Sequence, residues 1–557
     1  MTNEAIAENF SLLSKLMDIH GDNSFKAKSY ASAAFNIDKL PVELSTLSYD
    51  KIFVQKGIGE STAKRIIEQL ETGTLSVLND YISKTPEGVI EMLHIKGLGP
   101  KKIATIWKEL EIETLGELLY ACNENRLMLY KGFGEKTQNN IRESIEFYFS
   151  SLGSYLYQQM ENFAKKATQK LEESFPEAIF LSTGSYRKQD EIVHILEWVT
   201  TCSSDELHAF FSAQQFEIIS SDTAYVSVKS IENVSLGFYC SNPEHCFSKL
   251  FETSCSEQFF SAWKNNIGWK PERSYTSEET IFEEAGITFI PPFLRETATI
   301  IEQARNNQLP IVIQPNDIKG IIHSHSKWSD GSNTLEEMAM AAIERGFEYL
   351  VISDHSQSAY YASGLDIDKV YAQHQQVDEL NQQFAPFRIY KSIESDILND
   401  GSLDYPDEVL ADFDLVIASI HSNLKMPEDK AMMRLINAIE NPYTSILGHM
   451  TGRLLLSRNG YPVDHAKIID ACAANDVVIE LNAHPRRLDM DWRWINKAVE
   501  KGVLISIDPD AHYIEGYDDC RYGVLAAQKA GLTKEHNLSS FSKDAFEAFL
   551  VQQHAKR

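Results

Sequence analysis

Cysteine is scarce in this chain: 7 among 557 residues, with no Cys-x-x-Cys pair. That excludes a disulfide frame and a zinc knuckle and leaves reduced thiols. Long apolar runs are absent too, none approaching the roughly 18 residues that span a bilayer. The opening residues, Met-Thr-Asn-Glu-Ala-Ile-Ala-Glu-Asn, lack the basic and apolar segments of a signal peptide, so a cytoplasmic protein is expected. Basic charge is in deficit, with 52 Lys and Arg against 80 Asp and Glu and a net charge of −28. A surface of that sign repels DNA unless metals or a separate module offset it. The deficit is uneven: residues 1–150 hold 17 basic and 21 acidic residues (net −4), and the remaining 407 hold 35 and 59 (net −24). With 43% hydrophobic and 24% charged residues, the chain has the composition of a globular protein, and its length calls for three to five domains.

A repeat comes first among the features present. Lys56-Gly57-Ile58-Gly59-Glu60, Lys96-Gly97-Leu98-Gly99-Pro100 and Lys131-Gly132-Phe133-Gly134-Glu135 each separate two helical stretches, the second of each pair expected over 63–70, 103–110 and 139–147. Gly-apolar-Gly between helices makes a hairpin that leaves backbone N–H groups free at the start of the second helix. Those groups and the positive helix end bind phosphate without many basic side chains. An ordinary glycine-containing turn would explain one copy, not three. Gly57, Gly59, Gly97, Gly99, Gly132 and Gly134, with Lys101 beside the second hairpin, are therefore the candidate DNA-binding residues, and the expected ligand is DNA backbone of any sequence.

The run Phe25-Lys26-Ala27-Lys28-Ser29-Tyr30, a helix ending near Leu40-Pro41, and the three hairpins resemble the N-terminal and fingers subdomains of the X-family DNA polymerases. The resemblance aligns Ala63-Lys64-Arg65-Ile66 with a helix that can carry a deoxyribose-phosphate lyase lysine. That position is Arg65, which stays protonated and cannot form a Schiff base. Further on, Thr183-Gly184-Ser185-Tyr186-Arg187 resembles the Gly-Ser motif with which nucleotidyltransferases hold a triphosphate, so Gly184, Ser185 and Arg187 mark a degenerate nucleotide site. Polymerases of this type then present Asp-x-Asp on a strand for two magnesium ions. Here the strand expected at 192–196 reads Ile-Val-His-Ile-Leu, and residues 224–229 supply no third carboxylate. Asp190 and Glu191 are adjacent and would face opposite ways on a strand. The thumb-like stretch through Ile290-Pro291-Pro292-Phe293-Leu294 is better kept, and a linker over 307–317 leads on.

From Lys319 apolar strands alternate with helices, the pattern of a (β/α) barrel whose polar strand ends form the active site. Ile321-Ile322 precede His323-Ser324-His325, whose side chains would share one face of an extended segment. Asp330, His355, Glu394, His421, His449, Asp510 and His512 follow, each near the end of an apolar run. Nine N/O donors without a cysteine suit Mn²⁺, Zn²⁺ or Fe²⁺ and exceed the needs of one or two ions, so three are expected.

This stretch, residues 317–557, resembles the PHP (polymerase and histidinol phosphatase) family in the form fused to bacterial X-family polymerases, also through Glu394-Ser395-Asp396, Gly448-His449-Met450-Thr451, Glu480-Leu481-Asn482-Ala483 and Asp510-Ala511-His512. The resemblance implies that all nine metal positions are filled. Ile321 stands where relatives often have Asp, and its effect would fall on His323 orientation or metal affinity. The implied chemistry is metal-assisted phosphoester hydrolysis, with Asp396 orienting a histidine and Arg453 clamping phosphate; Arg458, Arg486 and Arg487 are further clamp candidates.

The expected architecture is multidomain α+β and α/β: a helical domain with the first hairpin (1–78), a fingers-like hairpin domain (79–150), a degenerate palm (151–240), a thumb-like segment (241–310) and a distorted (β/α)7 PHP barrel (317–557). The leading reading is 3′→5′ exonuclease action on DNA ends or gaps by a monomer, with 3′-phosphatase and abasic-site cleavage in the same class. An active polymerase with a proofreading barrel, a non-catalytic DNA-end scaffold and a small-molecule phosphatase remain open against it.

Overall fold

A computed structural model describes residues 1–557 apart from Lys39, Pro41, Lys56, Ser151, Leu152 and Glu232, and the side chains of Glu4, Ser150 and Tyr361. The chain divides into two compact units, Met1–Tyr148 and Phe149–Arg557. No helix among the described residues is long and apolar enough to cross a membrane.

The first unit is helical. Asn3–His20 starts at a Thr2 cap and ends at Gly21, left-handed at φ +80. It packs against Ser24–Asp38 through Phe10 and Tyr30, whose rings stack at 5.6 Å. The helices after the three hairpins are Glu60–Thr72, Pro100–Lys108 and Glu135–Ser150. Each begins directly after the second glycine, three or four residues before the apolar periodicity of the sequence becomes visible.

The second unit opens with a five-stranded sheet in the order Phe180–Thr183, Leu196–Thr200, Ser235–Cys240, Tyr225–Lys229, Glu217–Ser221. Here the sequence reading needs correction. Ile192–Val193 is a two-residue strand paired antiparallel with Tyr155–Leu156, and the sheet strand starts only at Leu196. Phe251, Phe259, Trp263 and Phe282 build a separate aromatic core below the sheet, in which the fully buried Arg295 is held by Glu278 at 2.6 Å. The 307–317 linker is docked, since Ile313 is fully buried and its N–H donates to Leu532 O at 2.8 Å.

The rest is a seven-stranded parallel barrel: Gly320–Ile321, Tyr349–Ile352, Arg388–Asp396, Leu415–Ser419, Ile446–Leu447, Val478–Asn482 and Ile505–Asp508, in that order. Parallel bridging of Ser324 with Ala511 brings the first and last strands together. Strand residues are apolar on both faces because helices cover the outside while side chains fill the inside. The lower interior holds Ile322, Val351, Leu415, Ile417 and Ile446, capped by Phe546, Phe549 and Leu550 of the Lys543–His554 helix. Each of those caps contributes about 1.5–3 kcal/mol of burial. The upper interior is left to polar groups.

Candidate active site

His323 and His325 reach the barrel mouth by a different backbone route from the one expected. The strand stops at Ile321, and His323 takes φ +60, a left-handed conformation uncommon outside glycine. His325 N then donates to Ala511 O at 2.8 Å, so the irregular turn is pinned to the segment that follows the last strand, and the two rings lie 5.3 Å apart. Asp510 also sits at positive φ, +53. The polar cluster is thus built on strained backbone that the barrel seam holds in place.

All nine candidate residues meet there. Glu394 is the hub: its oxygens lie 2.9 Å from His355 Nδ1, 2.9 Å from His449 Nε2, 3.0 Å from His421 Nε2, 3.4 Å from His323 Nε2 and 3.7 Å from His325 Nε2. Asp510 Oδ1 is 3.0 Å from His325 Nε2 and 3.4 Å from His323 Nε2. Asp330 Oδ1 is 3.4 Å from His512 Nε2 and 3.7 Å from His355 Nε2. Three sets have donor atoms within 4.8 Å of one another: His325/Asp330/His355/His512, His323/His325/Asp510 and His355/Glu394/His421.

The groups behind the histidines fix their polarity. Glu480 accepts from His323 Nδ1 at 2.5 Å, Asp396 from His421 Nδ1 at 2.5 Å, and the Asp510 carbonyl from His512 Nδ1 at 3.0 Å. Each ring therefore faces the cluster with Nε2, the atom that ligates when the ring is neutral, as in histidine ligands backed by a carboxylate or carbonyl. His325 Nδ1, Asp330 Oδ2 and His449 Nδ1 are buried without a hydrogen-bond partner. Such a set of converging buried N and O donors suits divalent metal ions. Burial, with His512 and His355, pushes His325 down to about 3, and burial with Arg487 does the same to His449. At His421 burial is outweighed by Glu394 and Asp396, and it rises to about 10.

Glu480, Asn482, Asp508 and Asp354 carry parts that the sequence reading did not assign. Glu480 also accepts from His449 N at 2.6 Å, and Asn482 Nδ2 donates to Asp510 Oδ2 at 3.0 Å. Asp508, held above the usual carboxylate range by burial and then Glu480, accepts from Ser506 Oγ at 2.6 Å. Asp354 accepts from Ser326 N and Oγ at 2.8 and 2.7 Å and so ties down the His325–Asp330 loop. Alternation along the Val478–Asn482 and Ile505–Asp508 strands puts Glu480 and Asp508 on the inner face, a signal that was there to use.

Ile321 is fully buried among Leu335, Met338 and Leu350, and the carboxylate at His323 Nδ1 is Glu480. Other expected roles are corrected. Arg453 does not reach the cluster: its guanidinium is taken up by Asp491 at 2.8 Å, the Arg487 carbonyl at 3.0 Å and the Leu488 carbonyl. Arg458 is turned back to Gly452 O at 2.8 Å. The arginine facing the cluster is Arg487, with Nε 3.9 Å from Asp510 Oδ2. In the palm, Arg187 is a bidentate partner of Glu278 at 3.0 and 2.8 Å and not an open triphosphate ligand. Asp190 and Glu191 are ion-paired, to Lys529 at 2.9 Å and Arg493 at 3.4 Å. Glu197 also lies against the Gly184–Ser185 turn, its Oε2 placed 2.1 Å from where a Cβ at Gly184 would be.

The hairpins share one geometry. Gly57, Gly97 and Gly132 have φ +84, +90 and +98. Ile58, Leu98 and Phe133 are buried, and each donates its N–H three residues back at 3.1 Å. Beside Gly97, Gly99, Gly132 and Gly134 a Cβ would meet nothing within 4 Å, whereas Asn36 crowds Gly57. Lys101 is exposed; Lys56 lies outside the described residues.

Fold and site together define a helix-hairpin-helix protein with a PHP barrel. Family models agree: a helix-hairpin-helix domain matches residues 1–75, a SAM-like helix-hairpin-helix tandem 89–146, and a PHP domain 322–484. The DNA polymerase/3′-5′ exonuclease PolX of Bacillus subtilis (strain 168) is 33% identical over 558 residues, covering 96% of each chain. The chain belongs to this bacterial PolX-type family. A probable phosphatase of Thermoanaerobacter sp. (strain X514) is 28% identical over 38% of this chain and 86% of its own length, and one of Clostridium acetobutylicum is 31% identical over 24% and 57%.

Proposed function

We propose that this chain is a cytoplasmic DNA-processing phosphoesterase that hydrolyses phosphoester bonds at DNA 3′ ends with the barrel cluster and no longer synthesises DNA. The observation carrying this reading is the convergence of nine buried N/O side chains on one barrel mouth, three of them oriented from behind. The donor set fits two or three divalent ions, held by His323, His325, Asp330, His355, Glu394, His421, His449, Asp510 and His512. Such ions, when bound, supply Lewis-acid charge and make water more acidic.

The protein's own groups do the rest. Glu480 and Asp396 hold His323 and His421 in the tautomer with Nε2 forward. Arg487 presents a buried positive charge for a non-bridging phosphate oxygen. The barrel floor, closed by Phe546, keeps the cluster out of bulk water from below. DNA affinity comes from the hairpins, whose open glycines leave backbone N–H groups for phosphates of any sequence.

Loss of synthesis rests on the palm. Its strands Leu196–Thr200, Tyr225–Lys229 and Ser235–Cys240 carry Glu197 as their one carboxylate, and two-metal phosphoryl transfer needs more than that. Burial raises Glu197 above its usual range, and Tyr239 already donates to it at 2.9 Å. A lyase is disfavoured as well, because Arg65 is paired with Glu68 at 2.6 Å. The name of the Bacillus subtilis relative supports exonuclease action, and the probable phosphatases favour removal of a terminal 3′ phosphate as a second substrate.

The test is gapped DNA labelled at the primer, incubated with Mn²⁺ with and without dNTPs. Shortening of the primer in both arms is expected; dNTP-dependent extension would overturn the loss of synthesis, and an unaltered primer would overturn the hydrolase.

A further inference from the structure

The palm strands carry a single carboxylate, yet the segment before them holds on to the barrel. Lys529, the last residue of the Cys520–Lys529 helix, has a fully buried side chain. Its Nζ donates to Lys188 O at 2.7 Å, Asp190 Oδ1 at 2.9 Å and Glu296 Oε1 at 2.6 Å, and sits 5.1 Å from the Trp492 ring. The neighbouring Glu191, whose side chain is 11% exposed, faces Arg493 at 3.4 Å and Arg453 at 3.9 Å. Both arginines bind Asp491, at 2.9 and 2.8 Å, and Arg453 also grips the Arg487 and Leu488 carbonyls. Palm residues 188–191 therefore reach barrel loop 484–493 directly, from Glu191 to Arg493, and indirectly, through Arg453 on Asp491 and through Lys529 on the Trp492 ring. Pro485 and Leu488 of that loop line a small cleft with Tyr157, Gln189 and Glu191.

The other side of the loop faces the cluster. Asp489 accepts from Thr451 N and Oγ1 at 3.0 and 2.9 Å, and Arg487 lies beside Asp510. Leu488 sits at φ +43, which is costly for a leucine and persists only where contacts on both sides impose it. A cation beside a metal-ligating carboxylate also weakens metal binding unless an anion joins it, and a scissile phosphate is such an anion.

We propose that Glu191 is a positioning residue for the barrel reaction: through Arg453, Arg493 and Asp491, the degenerate palm sets the loop that aims Arg487 at the phosphate. The proposal rests on the barrel being the hydrolytic site. It gives the palm a use that needs no nucleotide, since a shift of about 1 Å in a phosphate clamp is enough to lower turnover.

The experiment compares full-length wild type, E191Q, the conservative variant E191D and H323A/H325A. Measured are kcat and KM on 3′-labelled DNA, inhibition by inorganic phosphate, manganese content and Tm. E191Q should lower kcat and weaken phosphate inhibition by about three- to tenfold, the scale of coupling through contiguous networks, with KM and manganese content unchanged. E191D, which keeps the negative charge, should retain most of what E191Q loses. If E191Q does not fold, R493Q, altered at a side chain that is 57% exposed, carries the same expectation. Wild-type kcat and phosphate inhibition in E191Q, with H323A/H325A inactive, would overturn the positioning role alone. Activity in H323A/H325A would overturn the hydrolytic reading beneath it.

Discussion

Glu480→Gln isolates the orientation of the cluster from its composition. One carboxylate oxygen accepts from His323 Nδ1 at 2.5 Å and the other from His449 N at 2.6 Å. Glutamine keeps the shape but exchanges one acceptor for an NH₂ donor. If that donor faces His449, two N–H groups oppose each other. If it faces His323, the ring takes the other tautomer and turns an N–H, not a lone pair, toward Glu394 and Asp510 at 3.4 Å. The first case pushes the side chain off its place between His323 and His449, the second loses His323 as a well-aimed ligand, and changes of this kind cost about 10- to 100-fold in metal affinity, or about 1.4–2.7 kcal/mol. Folding should hold, because a neutral residue at 480 also relieves its repulsion with Asp508. The assay is DNA 3′-end hydrolysis across a Mn²⁺ titration, with Tm measured alongside. The half-saturating Mn²⁺ concentration should rise by that factor, with turnover largely recovered at high metal. An unchanged titration with an unchanged Tm would refute the assignment of Glu480 as the group that orients His323.

Other expectations are as specific. Burial alone would raise Glu278, but Arg295 and Arg187 outweigh it and bring it down to about 2, so its stabilisation is complete above about pH 4.5 and is lost as pH falls from there toward 2. The contribution is about 3 kcal/mol at most, and Glu278→Gln should lose less Tm than wild type between about pH 7 and pH 3; an equal loss would count against the buried pair. Lys101→Ala should weaken DNA binding for every sequence alike and reduce the slope of log affinity against log salt by about 1. Glu197→Ala should leave 3′-end hydrolysis unaltered, as read on labelled primer, since the palm carboxylate takes no part in it.

The hairpins and the barrel mouth were legible because their signals are local. Gly-apolar-Gly spacing dictates a tight turn whatever surrounds it, and a ligand at the end of each of several apolar runs needs only strand alternation to be seen. The palm strand was misread because Ile192 and Val193 are as apolar as any strand; only their pairing with Tyr155–Leu156, far away in sequence, removes them from the main sheet and brings Glu197 into place. Arg453 has the charge of a phosphate clamp, and nothing short of the tertiary structure shows that two carbonyls and Asp491 consume it. Glu480 lies on an inward strand position, but periodicity does not distinguish a ligand from the group behind it. The irregular turn at His323 depends on the seam with Ala511, which is a product of barrel closure.

The direct measurement is 3′-nucleotide release from labelled DNA by wild type and by H323A/H325A, each with its DNA affinity determined on the same substrate. Loss of Mn²⁺-dependent release with DNA binding intact is expected, because the proposed function assigns the cut to the barrel and the grip to the hairpins. Release at the wild-type rate from the double variant would contradict it.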